Sequence, residues 1–229
     1  MAQVTCLTFF KYKSLSQRIW AFGMMQFAHK HFVSVEGLTF YKLMGSGKGM
    51  GFSPLPDWSV YGLLTVWNSE EHADQFIKAS QLFDQYRNHA DQVWTIYMHN
   101  IKSHGLWSGS NPFALANRKP KENENICVIT RATIKKRYLP KFWRYVPTSS
   151  KPLLNNQDLI FTKGIGEVPI IQMATFSIWK NEEALKRFAY QSKEHHKAIK
   201  MTRALGWYRE ELFARFLIAK TVGHWDAID

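Results

Sequence analysis

The stretch W-N-S-E-E at Trp67–Glu71 returns as W-K-N-E-E at Trp179–Glu183. Each is preceded by an alternating apolar run and followed by an amphipathic helical pattern. Upstream, L-T-F-Y-K at Leu38–Lys42 matches L-I-F-T-K at Leu159–Lys163, and Gly45 and Gly166 each stand three residues past the lysine. Downstream, G-L-W at Gly105–Trp107 matches G-H-W at Gly223–Trp225. These matches keep one order behind opening strands near Val4 and Ile126, so the chain reads as two copies of one supersecondary unit.

In the first copy the spacing predicts strands near 4–11, 37–44, 59–67 and 92–99. A helix carrying Leu15, Ile19, Phe22 and Met25 follows the first strand, and a single helix spans about 70–89. The second copy predicts strands near 126–133, 158–163, 170–179 and 207–219 and a long helix over about 181–204; Pro140 and Pro147 cut into its first helix. The order β-α-β-β-α-β is ferredoxin-like, an antiparallel sheet with helices on one face and the other face bare. Two fused copies cover each other sheet to sheet, giving an α+β fold of the dimeric α+β barrel type. The expected organisation is a first repeat over 1–109, a polar, proline-bearing linker over 110–125 and a second repeat over 126–229.

The 229 residues are 45% apolar and rich in aromatics, which suits enclosure of a large apolar ligand. The formal charge of +12 asks for an anionic partner, whether nucleic acid, anionic lipid, an acidic electron carrier or a cofactor's carboxylates. Cys6 and Cys127 stand in no metal-ligand or disulfide spacing, which fits a reducing cytoplasm. No apolar run reaches the length of a membrane span, so a soluble or peripheral protein is expected.

A site often needs only one copy, so function is sought where the repeat breaks. The first break is S-G-K-G-M-G-F-S-P-L-P-D-W, inserted after Gly45 where the second copy has only E-V-P. Its G-S-G-K-G resembles a phosphate loop, but that motif requires Gly at Lys42 and Ser or Thr at Gly49. The reading that remains is a pocket-bordering loop formed by Gly45, Ser46, Gly47, Gly49 and Phe52, with a plain surface hairpin as the alternative. The second break is in the later helix, where Leu185, Phe188, Ser192, His195, Ile199 and Thr202 share one face. Aligned on Trp67 and Trp179, His195 replaces Phe83 of the first copy. A histidine facing an apolar interior is either a core residue with satisfied hydrogen bonds or an axial ligand for haem iron. His196, one step round the helix, is the second choice.

Three blocks carry a resemblance to a known family: F-Y-K-L-M-G-S-G-K-G-M-G-F-S-P-L-P-D-W at 40–58, G-L-W-S-G at 105–109, and H-H-K-A-I-K-M-T-R-A-L-G-W-Y-R-E-E-L-F-A-R-F at 195–216. They resemble the spheroidene monooxygenases of carotenoid biosynthesis. The resemblance implies a haem b enzyme that uses O2 and a ferredoxin-type electron donor to place a hydroxyl and then a ketone near the end of an acyclic carotenoid. It also selects His195, three residues before the A-I of the third block, as haem ligand. Arg203, Arg209 and Arg215 flank the G-W-Y block as candidates for the haem propionates, with Arg203 preferred for its place beside the His195 helix. Cys6 and Cys127 are rival thiolate ligands. A basic surface is expected to rest peripherally on the inner face of the membrane, where carotenoids dissolve.

Two other classes are weighed. A cofactor-free oxygenase, or a haem dehydratase or peroxidase-like enzyme, keeps the fold and changes the chemistry. A basic ligand- or nucleic-acid-binding module fits the fold and charge, but the third strands S-V-Y-G-L-L-T-V-W and I-I-Q-M-A-T-F-S-I-W lack the basic start and paired aromatics that stack bases. No nucleic-acid partner is expected.

Overall fold

A computed structural model describes residues 2–150, 153, 156–191 and 205–226. The first repeat runs β1 (Val4–Lys11), α1 (Leu15–Phe27), β2 (Leu38–Gly47), β3 (Pro56–Trp67), α2 (Glu70–Ala79), α3 (Gln81–His89) and β4 (Gln92–Gly105). The second runs β5 (Ile126–Ile134), α4 (Leu139–Ser150), β6 (Leu159–Val168), β7 (Gln172–Trp179), α5 (Glu182–Gln191) and β8 (Tyr208–Gly223).

The repeated W-x-[SN]-E-E is the hinge between sheet and helix in both copies. Trp67 donates its indole N–H to Thr65 Oγ1 at 2.8 Å and packs on Phe76, ring centroids 5.1 Å apart. Trp179 does the same with Ser177 Oγ at 2.9 Å and Phe188 at 4.9 Å. Such an aromatic pair adds about 0.5–1.5 kcal/mol beyond its buried area. The next turn is capped alike: Ser69 Oγ accepts from the His72 amide, and Asn181 Oδ1 from that of Ala184. The paired glutamates then sit at the positive end of each helix.

The two sheets do more than face each other. β2 pairs with β6 and β4 with β8, so all eight antiparallel strands close into one barrel in the order β1-β3-β2-β6-β7-β5-β8-β4. Gly45 lies opposite its own repeat counterpart Gly166, which puts a local two-fold axis through that seam. At the other seam Gly105 faces Leu212 and Trp94 faces Gly223, a symmetric exchange of counterparts. Inside, Leu7, Phe9, Trp94 and Ile96 of one repeat interleave with Ile129, Phe161, Phe176 and Phe216 of the other. Burying each of these side chains is worth about 1.5–3 kcal/mol. Because β1 is covered inside by this core and outside by the helices, V-T-C-L-T-F-F reads as almost continuously buried.

The structure departs from the sequence expectations at several places. The helix expected over 70–89 is two helices, because Ser80 has extended backbone (φ −80°, ψ 137°) and its hydroxyl caps α3 by accepting from the Phe83 amide. The first helix of the second repeat forms despite its prolines, with Pro140 in the first turn, where a missing N–H costs nothing. In α1, Ala21 and Met24 are the buried positions, while Leu15, Ile19 and Phe22 point to solvent. β4 and β8 run beyond their expected ends, and their extra residues build the second seam. Between the repeats, Phe113 leaves the polar segment to enter the barrel core.

Candidate active site

β2 and β6 pair only at Gly45–Gly166 and Ser46–Ile165; beyond that the inserted loop takes over the seam. The Gly164 amide donates to the Met50 carbonyl at 2.8 Å, and buried Lys163 reaches the Gly49 carbonyl at 2.8 Å and Asp57 at 2.9 Å. Backbone touches backbone here. A Cβ on Gly51, whose φ is +89°, would lie 2.2 Å from the Gly164 nitrogen, and one on Gly47 would lie 2.6 Å from the Gly51 oxygen. Gly45 differs: a Cβ there meets nothing within 4 Å. Its bare backbone is open floor.

That floor belongs to an apolar pocket of about 400 Å³ at the two-fold seam. Gly45, Ser46, Gly47 and Gly166 form its base; Phe22 and Met25 of α1, Trp58 of β3, Trp143 of α4 and Met173 of β7 wall it; Pro54, Leu55 and Ile170 stand at its sides. Ser46 is tied down by donating to the Val60 carbonyl at 2.8 Å. Three ionisable side chains line it, Asp57, Tyr61 and Glu167. Burial works against the Asp57 carboxylate, but hydrogen bonds from Ser59 and Lys163 outweigh it and hold the group below its ordinary range. Burial and the nearby Asp57 charge push the Tyr61 hydroxyl up to about 12. At neutral pH Tyr61 is therefore a donor, and among the described residues its Oη has no partner.

The loop has a second side. Met50 and Phe52 pack on the helix-facing cluster of the second repeat, built from Ile126, Val128, Trp179, Leu185 and Leu217, with Phe188 beside it. The same strip of chain thus walls the pocket and touches the cluster beneath α5. On that helix-covered side, Arg215 pairs through NH1 with Glu182 at 3.1 Å, and among the described residues its buried Nε and the buried Tyr145 Oη on α4 meet no hydrogen-bond partner. His195, His196 and Arg203 lie outside the described residues. Phe83, the counterpart of His195, is buried against Phe10 and Phe76, between helix and sheet. Arg209 is exposed. Burial raises both thiols well above their ordinary pKa, Cys6 under the first repeat's helices and Cys127 inside the barrel.

One charged cluster escaped the sequence reading. Glu167 accepts from the Trp107 indole at 2.7 Å, pairs with Lys42 at 2.6 Å and lies 3.4 Å from Arg131. Arg131 is 2% exposed, pairs also with Glu210 at 3.1 Å, and stacks over Trp107. Glu210 in turn accepts from the amides of Ser108 and Gly109. The G-L-W-S-G block is therefore bound to the second repeat through two carboxylates. Nothing local joins Lys42, Arg131, Glu167 and Glu210, so no spacing rule could find them. Glu167→Gln leaves Lys42 without its charge partner and Arg131 with Glu210 alone, and is expected to cost about 3 kcal/mol in urea unfolding.

The comparisons with known proteins come to the same architecture from outside. The chain matches no protein-family model. Aldoxime dehydratase structures share the fold: one solved with butyraldoxime superposes with a TM-score of 0.62 at 10% identity over 94% of this chain and 79% of that one. A second gives 0.59 at 11% identity over 96% and 83%. In sequence, the chain is 35% identical to the spheroidene monooxygenase of Cereibacter sphaeroides, covering 99% of this chain and 70% of that protein. It is 33% identical to the spheroidene monooxygenase of Rhodobacter capsulatus, covering 97% and 92%. The chain belongs to the spheroidene monooxygenase family, and it is an oxidoreductase.

Proposed function

We infer that the protein is a haem-dependent monooxygenase that uses O2 and electrons from a reduced ferredoxin to hydroxylate, then ketolate, the terminal region of an acyclic carotenoid. The observation that carries this reading is the inserted loop. One side of it walls an apolar, glycine-floored pocket, and the other rests on the cluster beneath α5, the helix that leads in sequence to His195. A pocket and a cofactor sharing one thin wall is the arrangement an oxidation of a long apolar chain requires.

The residues fit haem. A neutral imidazole is a suitable axial ligand, and the repeat carries position 195 to the counterpart of a buried, sheet-facing Phe83. The apolar side chains of Val128, Leu185, Phe188 and Phe52 suit the ring, and Arg215 Nε and Tyr145 Oη, without partners among the described residues, suit its polar edge. In the first repeat the equivalent space is closed by Phe10, Phe76, Phe83 and Tyr86. Haem, when bound, supplies the activation of O2; the chain supplies ligand, shape and dryness.

For the polyene, bare backbone at Gly45 admits a flat chain where a side chain would stand. Phe22, Trp58 and Trp143 offer faces for it, and the apolar lining excludes water. The Tyr61 hydroxyl is placed to orient an oxygen-bearing end. Cells that make an acyclic carotenoid test this directly. With the chain present, hydroxylated and keto pigments are expected to appear in air and not under anaerobic growth; unchanged pigment beside abundant folded protein would count against the reading.

A further inference from the structure

The exposed face of α1 is apolar. Leu15, Ile19 and Phe22, at i, i+4 and i+7, are 73%, 64% and 57% exposed. Phe22 meets Trp58 edge to face at 5.3 Å, and Trp58 and Leu55 are themselves 51% and 61% exposed. Phe22, Leu55, Trp58 and Ile170 line the seam pocket, and Leu15 and Ile19 continue the stripe along α1 away from it. A patch of this kind on a monomer marks a contact surface.

Its surroundings fix the partner. No Asp or Glu occurs from Met1 to Val35 or from Ile126 to Gln157, the two segments that contribute α1 and α4. Lys48 beside the pocket floor, and Lys141 and Arg144 on either side of Trp143, are exposed. The pocket's own carboxylates, Asp57 and Glu167, are each paired with a lysine, Lys163 and Lys42; an apolar helix stripe with a tryptophan beside it and a basic border is the chemistry of an anionic lipid surface. Among the described residues no helix is long and apolar enough to cross a bilayer, so the contact is with the surface.

We propose that α1 and the β2–β3 loop dock on an anionic bilayer, with Leu15, Ile19, Phe22, Leu55 and Trp58 dipping into its headgroup–acyl boundary and the pocket mouth facing the lipid. Charge brings the protein to the leaflet, the apolar stripe holds it there, and the substrate passes from lipid to pocket without crossing water. The last step rests on the carotenoid reading; the docking itself does not.

Flotation of the full chain with vesicles of phosphatidylcholine, with and without phosphatidylglycerol, tests it. The protein is expected to float with the anionic vesicles, to be released by salt, and to bind the zwitterionic ones weakly. The triple variant Leu15→Gln, Ile19→Gln, Phe22→Gln is expected to lose at least about 10-fold in partitioning. The separate pair Leu55→Gln, Trp58→Gln reports on the loop should the triple variant fold poorly. Wild-type protein that ignores anionic vesicles would overturn the proposal, as would folded variants that bind undiminished. So would light scattering that shows a stable dimer split by the triple variant, since a second copy would then cover the stripe. Vesicle binding needs neither haem nor carotenoid: a protein that floats but never takes haem would sink the enzymatic reading and leave the docking surface standing.

Discussion

His195→Ala is expected to give folded protein that no longer takes up haem, while His196→Ala takes it up nearly as wild type. Trp67–Phe76 and Trp179–Phe188 are the same contact in the two copies, so the alignment that sets Phe83 against His195 is anchored in matched packing. Phe83 is buried against Phe10 and Phe76. An imidazole in such a place costs about 1–3 kcal/mol if its nitrogens find no partner, a cost that a bound iron removes. Loss of an outer-shell partner alone weakens metal binding about 10–100-fold, so loss of the ligand should cost at least about 100-fold. Haemin titration followed by the Soret band measures this, and thermal melts of the apo proteins show whether the fold survives. Loss of haem in His196→Ala with retention in His195→Ala would show that the neighbouring histidine is the ligand.

The second large effect separates two glycines six residues apart. Gly51→Ala puts a Cβ on a backbone with φ +89° and 2.2 Å from the Gly164 nitrogen. Neither backbone is free to yield, because the Met50 carbonyl and the Gly164 amide are hydrogen-bonded at that point. A loss on the order of 4 kcal/mol is expected, or insoluble protein, because the barrel seam itself is forced open. A Cβ on Gly45 meets no described atom within 4 Å, so the side chain of Gly45→Leu enters the pocket instead. Its stability should stay within about 1 kcal/mol of wild type and its haem spectrum should be unchanged, while conversion of a long polyene falls away. Chemical denaturation and pigment analysis read the two arms. A Gly45→Leu protein that still converts carotenoid at the wild-type rate would remove the pocket from the account.

The repeat was legible because W-x-[SN]-E-E performs one local task twice: it ends a strand with a self-bonded tryptophan and starts a helix with a cap and two carboxylates. Local chemistry of this kind is written in adjacent residues. The closed barrel follows from the repeat, since two bare sheets must cover each other, and the interleaved core does so. Direction and distance were not legible. Apolar spacing in α1 shows a helix but cannot say which face is wet, and here Leu15, Ile19 and Phe22 are outside while Ala21 and Met24 pack inward. Helix periodicity continues across Ser80, yet the hydroxyl there caps a new helix.

The glycine-rich loop teaches the same distinction. Its glycines look alike in sequence, but a Cβ on Gly51 would strike Gly164 in the other repeat, one on Gly47 would strike Gly51, and one on Gly45 meets no described atom within 4 Å. Only the fold brings those partners together. Likewise Arg131, Glu167 and Glu210 lie on three different strands of the second repeat and meet Lys42 and Trp107 of the first. The candidate ligand was reached by a contrast between copies, Phe83 against His195, which one sequence carries within itself.

The most direct test of the account is a haemin titration of the purified wild-type chain. A Soret band that grows to saturation at one haem per chain, with the shape of a histidine-ligated iron, is the predicted result. A folded protein that stays colourless through the titration would contradict it.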